Sequence, residues 1–240
     1  MKCKVTNKII KPIMSFGKMP LANGFLKKKD FDKEFFFNLE VGFSEELSLF
    51  QLNEFPNPTK MFNENYPFFS GSSEYMKKHF FNYSNWIKKN YLNGKSNIIE
   101  VGSNDGTMLQ NFKNEGLDHI GFEPSKSAAK KARKNNINTL IEFFCYKNVN
   151  LLSKYKHNTD VVCAANVICH IPDLADLIKS VDLLLTLKGV FIFEEPYLGS
   201  MFDKISYDQI YDEHIYMFSV SSVQKIFSRF DMELIEAHPQ

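Results

Sequence analysis

Two carboxylates about 20 residues apart, with a glycine turn between them, have the types and spacing to hold a nucleoside. The run Asn97-Ile98-Ile99-Glu100-Val101-Gly102-Ser103-Asn104-Asp105-Gly106-Thr107-Met108-Leu109 leaves an apolar strand at a carboxylate, turns, and re-enters an amphipathic pattern. Gly102 and Gly106 let the backbone pass close to a bound molecule, and Asn104 is one of the few other residues that tolerates positive φ. A helix starting near Asp105 points unpaired N–H groups at the crevice, with Asp105 as their cap. Downstream, Asp118-His119-Ile120-Gly121-Phe122 ends in Glu123-Pro124, where a carboxylate meets the hydroxyls of an adenosine ribose. Nicotinamide and adenosylmethionine cofactors both use that carboxylate, so Glu123 alone does not choose between hydride and methyl transfer. The turn lacks the G-x-G-x-x-G of pyrophosphate binders, which favours adenosylmethionine, a cofactor without phosphate. Taken alone, the segment also reads as an ordinary βα turn.

The elements that must position these residues alternate regularly. Strand patterns at 98–101, 120–123, 139–142, 160–165, 190–194 and 233–237 are separated by helical patterns at 107–115, 126–135, 149–155, 174–185 and 221–230. Such alternation predicts a doubly wound, mostly parallel α/β sheet over residues 96–240. Residues 1–62 read as a small β-rich module, with strand-like runs at 35–41 and 47–52 broken by Pro12, Pro20, Gly24, Pro56 and Pro58. Residues 63–95 form a linker. Within it Tyr75, Met76, His79, Phe80, Tyr83, Trp86 and Ile87 recur at helical spacing, as a helix packed by one face onto a core.

Composition narrows the partners. With 44% hydrophobic and 24% charged residues among 240, the chain is a globular protein with room for one substantial core. Twenty-nine basic against 28 acidic side chains leave a net charge of +1, no field for nucleic acid or an anionic membrane. No apolar run approaches membrane-helix length and the amino terminus lacks a secretion signal, so the expected compartment is the cytoplasm. Cys3, Cys145, Cys163 and Cys169 show no C-x-x-C spacing and are expected to be free thiols.

Several segments together carry a family resemblance. They are the turn Glu100–Gly106, Gly121-Phe122-Glu123-Pro124-Ser125, Ile141-Glu142-Phe143-Phe144, Ala165-Asn166-Val167-Ile168-Cys169-His170-Ile171-Pro172-Asp173-Leu174 and Tyr207-Asp208-Gln209-Ile210-Tyr211-Asp212-Glu213-His214. Met19-Pro20-Leu21-Ala22-Asn23-Gly24-Phe25-Leu26 and Tyr66-Pro67-Phe68-Phe69-Ser70 belong with them. In this order they resemble the sugar C-methyltransferases, class I adenosylmethionine-dependent enzymes with a Rossmann-like sheet that act on nucleotide-linked 4-keto-6-deoxyhexoses.

The resemblance implies a reaction and roles. A base removes the proton at C3 beside the C4 ketone, and the enolate attacks the cofactor methyl carbon. His214 is the natural base, with an ordinary pKa of about 6.5; Glu213 or Tyr211 tunes or orients it. Glu100, Gly102, Asn104, Asp105, Gly106, Glu123 and Pro124 hold the cofactor. Phe143 or Phe144 packs on the adenine, unless the two are simply core rings. Asn166 bridges the cofactor amine and the substrate. Tyr66, Phe68 and Ser70 lie over the pocket mouth, and Tyr197 joins them as a substrate residue; Phe68 stands where the family carries a second tyrosine. His170 fixes the loop after the fourth strand, while His79, His119, His157 and His238 read as ordinary residues. The substrate is then a small nucleotide sugar. A methyltransferase of the same fold acting on oxygen or nitrogen, and a non-catalytic chain that binds adenosylmethionine, are the alternatives.

Two departures from the family pattern stand out. The family holds a structural zinc in its amino-terminal module through two C-x-x-C pairs. Here Cys3 is retained, Thr6 occupies the second position, and the later pair falls on Ser44 and Leu47. Zinc is therefore not expected, and the module is expected to be held by Phe31, Phe35, Phe36, Phe37, Phe43 and Phe50. The second departure is at the carboxyl end, where the sequence reaches His238-Pro239-Gln240 without the family's seventh strand or following domain. The expectation is that the sequence is a fragment of a longer chain, with completion by a second polypeptide as the alternative.

Overall fold

A computed structural model of the chain describes residues 1–239. Its strands are β1 (Pro12–Pro20), β2 (Phe36–Ser44), β3 (Leu49–Leu52), β4 (Asn97–Val101), β5 (Asp118–Phe122), β6 (Thr139–Leu140), β7 (Thr159–Ala165), β8 (Leu185–Glu194) and β9 (Tyr216–Met217). The helices are α1 (Pro58–Met61), α2 (Glu74–Tyr91), α3 (Leu109–Lys113), α4 (Lys126–Lys134), α5 (Tyr146–Val149), α6 (Leu174–Leu184), α7 (Leu198–Asp203) and α8 (Val220–Phe227). Among the described residues, no helix is long and apolar enough to cross a membrane.

The chain forms two compact units. The first to consider comprises Phe62–Val167 and Asp176–Glu194. Its sheet has the order β6-β5-β4-β7-β8, and every pairing is parallel. The central strand β4 has a parallel neighbour on each side, and Ile98, Ile99, Glu100 and Val101 are all buried, so neither face of the strand is solvated. Against the sheet core lies α2, whose start is capped by the Ser73 hydroxyl accepting the Met76 N–H at 3.3 Å. Its Phe80, Tyr83 and Ile87 join Ile98, Met108, Leu109 and Phe112 in one cluster. Each such buried side chain contributes roughly 1.5–3 kcal/mol.

The second unit takes Met1–Met61, Ile168–Ala175 and the chain from Glu195 on. Its sheet is antiparallel, in the order β1-β2-β3-β9. Along β2 the period of two is visible, with Phe37, Leu39 and Val41 buried and Phe36 and Asn38 exposed. The last strand comes from far along the chain: Tyr216 pairs with Gln51 and Met217 with Phe50. Residues that the spacing assigns to an amino-terminal module and to the end of the chain therefore share one core, with Phe37, Leu39, Val41, Phe50 and Leu52 beside Leu198, Ile210 and Met217.

Several local expectations are corrected. Pro12 and Pro20 do not break the chain; they terminate β1, an edge strand, where a missing N–H leaves no ladder partner unserved. The helix expected over 107–115 contracts to Leu109–Lys113, because the backbone is still turning at Gly106. The one expected over 149–155 is the short α5 at Tyr146–Val149. Residues 233–237 form no strand. Of the six phenylalanines expected to hold the module, Phe37 and Phe50 are in its core and Phe43 packs against it, whereas Phe31, Phe35 and Phe36 are exposed. Lys60 Nζ lies 3.8 Å above the Phe35 ring, a cation–π contact that covers one of these exposed rings.

Candidate functional site

The turn after β4 is built by three alternate positive-φ residues, Gly102 (+66°), Asn104 (+49°) and Gly106 (+79°). The sequence suggests glycine here so that a ligand can approach; the packing gives a different reason. A Cβ on Gly102 would sit 2.5 Å from Val167 Cγ2, and one on Gly106 2.9 Å from Ile137 Cγ1. The protein's own side chains fill the space. Asn104 holds the turn to the preceding linker: its Oδ1 accepts the Ser70 N–H at 3.0 Å and its amide donates to the Phe68 carbonyl at 3.1 Å. Ser70 and Phe68 thus lie at the turn through their backbone, and Tyr66 lies beside the Phe68 ring, with centroids 5.5 Å apart.

Asp105 does not cap α3. Its carboxylate, 1% exposed, pairs with Lys131 at 2.6 Å, takes the Thr107 hydroxyl at 2.6 Å, and accepts the Gly71 N–H. Glu123, at the end of β5, accepts the Asn104 N–H at 2.9 Å and the Ser125 N–H at 2.7 Å through different oxygens. Burial outweighs those bonds and lifts its pKa to about 7. Glu100 is buried within β4 with Oε2 unpartnered; burial, then the charges of Glu123 and Asp105, push its pKa well up. Three carboxylates therefore crowd one turn, and one of them, Asp105, is paired with a lysine.

Beyond β6, Phe144 is buried edge-on against Phe122, with centroids 5.1 Å apart, while Phe143 is 36% exposed. Of the two candidates, Phe143 is the ring accessible to a ligand. Asn166, at the end of β7 with φ +55°, donates its N–H to the Glu194 carbonyl at 2.7 Å and its amide to the Glu194 carboxylate at 3.2 Å. The same carboxylate meets His79 Nε2 at 2.8 Å. His79 is one of the histidines that sequence spacing leaves without a role. A helical residue meeting the end of a strand 115 positions later has no local signature.

A second constellation belongs to the β-rich unit. His214 Nδ1 lies 2.9 Å from the Gln209 carbonyl, which can only accept, so Nδ1 carries the proton and Nε2 the lone pair. The Tyr211 hydroxyl reaches that Nε2 at 3.3 Å. Burial, helped by the neighbouring His170, pushes the His214 pKa down to about 4; the near-neutral value expected from the sequence is corrected accordingly. Glu213 does not contact the His214 ring through a hydrogen bond; its carboxylate takes the Asn23 amide at 2.7 Å. Its backbone carbonyl accepts from His170 Nδ1 at 2.7 Å. Asp212 accepts the Ala22 N–H at 3.2 Å. Burial raises both carboxyl pKa values. Tyr197, half exposed, opens α7 and bridges Phe218. The motif spacing pointed to Tyr211, Glu213 and His214 but not to Asn23, whose partner is 190 residues away.

Residues 75–237 match a family model described as a methyltransferase domain. The chain belongs to the methyltransferase-domain family. It has the Rossmann-like fold of class I adenosylmethionine-dependent enzymes, a parallel five-stranded sheet accompanied by an antiparallel one. C-methyltransferase NovU of Streptomyces niveus is 25% identical over 94% of the chain, which spans 54% of that relative's length. Among solved structures, an adenosylmethionine-dependent methyltransferase from Archaeoglobus fulgidus matches with a TM-score of 0.53 and 18% identity, over 65% of this chain and 67% of that one. A Haloferax volcanii methyltransferase complexed with its Trm112 activator matches with a TM-score of 0.57 and 13% identity, over 69% and 74%.

Residues 3–62 of the chain match a second model, described as a zinc binding domain. The side chains present do not supply a zinc ligand set. The span holds one cysteine, Cys3, and no histidine. Its two tight turns persist without the thiolates: Asn7 (φ +59°) follows Thr6, and Ser48 (φ +51°) follows Leu47, whose N–H bonds the Ser44 hydroxyl. Leu47 is 1% exposed and a core residue rather than a ligand.

Proposed function

We propose that this methyltransferase transfers the methyl group of adenosylmethionine to C3 of a nucleotide-linked 4-keto-6-deoxy sugar, with His214 as the base. The observation that carries the reading is the state of His214: buried, neutral, with its Nδ1 proton held by the Gln209 carbonyl and its Nε2 lone pair directed at a tyrosine hydroxyl. A carbon acid beside a ketone needs an acceptor that is unprotonated at working pH and a hydroxyl donor nearby for the enolate oxygen. Tyr211 is the donor beside it. With a pKa near 4 the imidazole is always ready to accept, and the negative enolate formed on proton transfer is what stabilises the imidazolium. The 25% identity to a C-methyltransferase supports carbon as the acceptor.

The electrostatics of the glycine turn support the cofactor. Adenosylmethionine brings a sulfonium and an ammonium to a turn bearing Glu100, Asp105 and Glu123, whereas a dinucleotide brings two phosphates to the same carboxylates. In the bound state Glu123 accepts the ribose hydroxyls and Phe143 offers its exposed ring. Asn166 stands at the adjacent strand end, although part of its amide is already committed to Glu194.

A pH dependence follows from Glu123. Its carboxyl is protonated below about pH 7, and ribose binding selects the ionised form, so a ligand must displace a proton at low pH. Affinity for adenosylhomocysteine is expected to rise about tenfold from pH 6 to pH 8, and Glu123→Gln to remove most of that rise. In the unligated protein the sign reverses. A raised carboxyl pKa stabilises the fold below the unfolded value, and that stability is lost as pH climbs through 7. Titration calorimetry at three pH values checks the first trend and thermal melting the second.

The reading as a whole is tested by solvent deuterium. A 4-keto-6-deoxy nucleotide sugar incubated with protein in deuterated buffer, without methyl donor, is expected to exchange its C3 hydrogen. Methyl transfer without exchange would indicate an oxygen or nitrogen acceptor instead.

A further inference from the structure

Cys169, His170 and His214 each offer one ligand atom, and the three atoms lie within 4.8 Å of one another. The residues come from the Ile168–His170 turn and the loop before β9. Each imidazole has its Nδ1 proton held by a backbone carbonyl, His170 by Glu213 and His214 by Gln209, at 2.7 and 2.9 Å. A carbonyl fixing one ring nitrogen is the outer-shell arrangement that orients histidine ligands on a metal. The rings face each other at 5.2 Å with a tilt of 35°. Cys169 is buried, with its thiol donating to the Glu195 carboxylate, and Glu195 and Glu213 both oppose a bare thiolate there. The same charges favour a divalent cation.

We propose that Cys169, His170 and His214 form a three-ligand site for a borderline-soft divalent cation of the zinc class, and that filling it withdraws the Nε2 lone pair of His214 and silences the base. One thiolate and two imidazoles suit zinc, leaving a fourth position open. The ligand atoms must close to roughly 3.5 Å from one another, the separation set by Zn–N and Zn–S bonds of about 2.0 and 2.3 Å in a tetrahedron. On binding, the Cys169 S–H bond breaks, the Zn–S bond forms, and the proton leaves to solvent; no electron is transferred. Tyr211 gives up its long bond to His214. The site stands on the geometry alone, and only the silencing rests on the function proposed above.

The test uses metal-stripped whole protein titrated with zinc against a chromogenic chelator, and with cadmium while the thiolate-to-metal charge-transfer absorbance is followed. About one zinc per chain is expected, with a cadmium–thiolate band. Cys169→Ala should remove the band, and Cys169→Ala and His170→Gln should each weaken zinc binding at least about a hundredfold, more than loss of an outer-shell partner. Cys3→Ser should bind as the parent does; circular dichroism identifies any variant that is not folded, and the two independent ligand variants guard against that outcome. No stoichiometric zinc in the parent, or zinc lost in Cys3→Ser and retained in Cys169→Ala, overturns the site. Zinc bound through Cys169 that leaves C3 exchange unchanged overturns the silencing. Absence of exchange in metal-free parent protein speaks against the proposed function and leaves the zinc titration to stand independently.

Discussion

His214→Asn is expected to cut methyl transfer by a factor on the order of 10² to 10⁴, the range for loss of a positioned acid–base group, while adenosylmethionine affinity stays nearly intact. Asparagine suits the test because its amide can still donate to the Gln209 carbonyl, the partner that His214 Nδ1 holds at 2.9 Å. What it cannot supply is the Nε2 lone pair. The same variant should stop C3 hydrogen exchange, which NMR reads without methyl donor and therefore without the cofactor step. Glu213→Gln should do less, since the Glu213 carboxylate is engaged with Asn23 rather than with the imidazole. If His214→Asn exchanges as fast as the parent, the base lies elsewhere, and Tyr211 becomes the first residue to replace.

Gly102→Val is expected to be the most destabilising change in the cofactor turn. Two penalties add: a β-branched residue at φ +66°, and a Cβ 2.5 Å from Val167 Cγ2. Strained backbone costs about 1–3 kcal/mol and overpacking a similar amount, so roughly 3 kcal/mol or more is lost. For a chain of this size that lowers the melting temperature by roughly 6–12 °C. Gly17→Val separates the two, because Gly17 has φ +74° but nothing within 4 Å of its added Cβ; it should show the strain alone. Combining Gly102→Ala with Val167→Ala should recover part of the loss seen in Gly102→Ala. A Gly102→Val protein that melts with the parent would contradict this packing account.

The sheet was legible because its strands carry their own signal. Runs such as Asn97–Val101 and Thr159–Ala165 are mostly apolar and buried on both faces, as central parallel strands are. The antiparallel sheet was legible only in part. Its β9 is two residues long, and a two-residue strand has no periodicity to detect. Residues 233–237 show the opposite error, an apolar alternation that no neighbouring strand takes up. At the candidate sites residue type was informative and partner was not. Glu123, Asn104 and His214 were identifiable by chemistry and motif. That His79 answers Glu194, that Asn23 answers Glu213, and that Cys169 joins two histidines depends on chain crossings that spacing does not encode. The pKa of His214 shows the same limit, since it is set by burial and by His170, properties of the folded state.

The turn between β4 and α3, with Glu123 behind it, is proposed to hold adenosylmethionine. Calorimetric titration of the purified chain with adenosylmethionine and, separately, with NAD tests this most directly. One site for adenosylmethionine is expected, weakened in Glu123→Ala, with no heat from NAD. Saturable NAD binding by the parent chain, with adenosylmethionine silent, would contradict it.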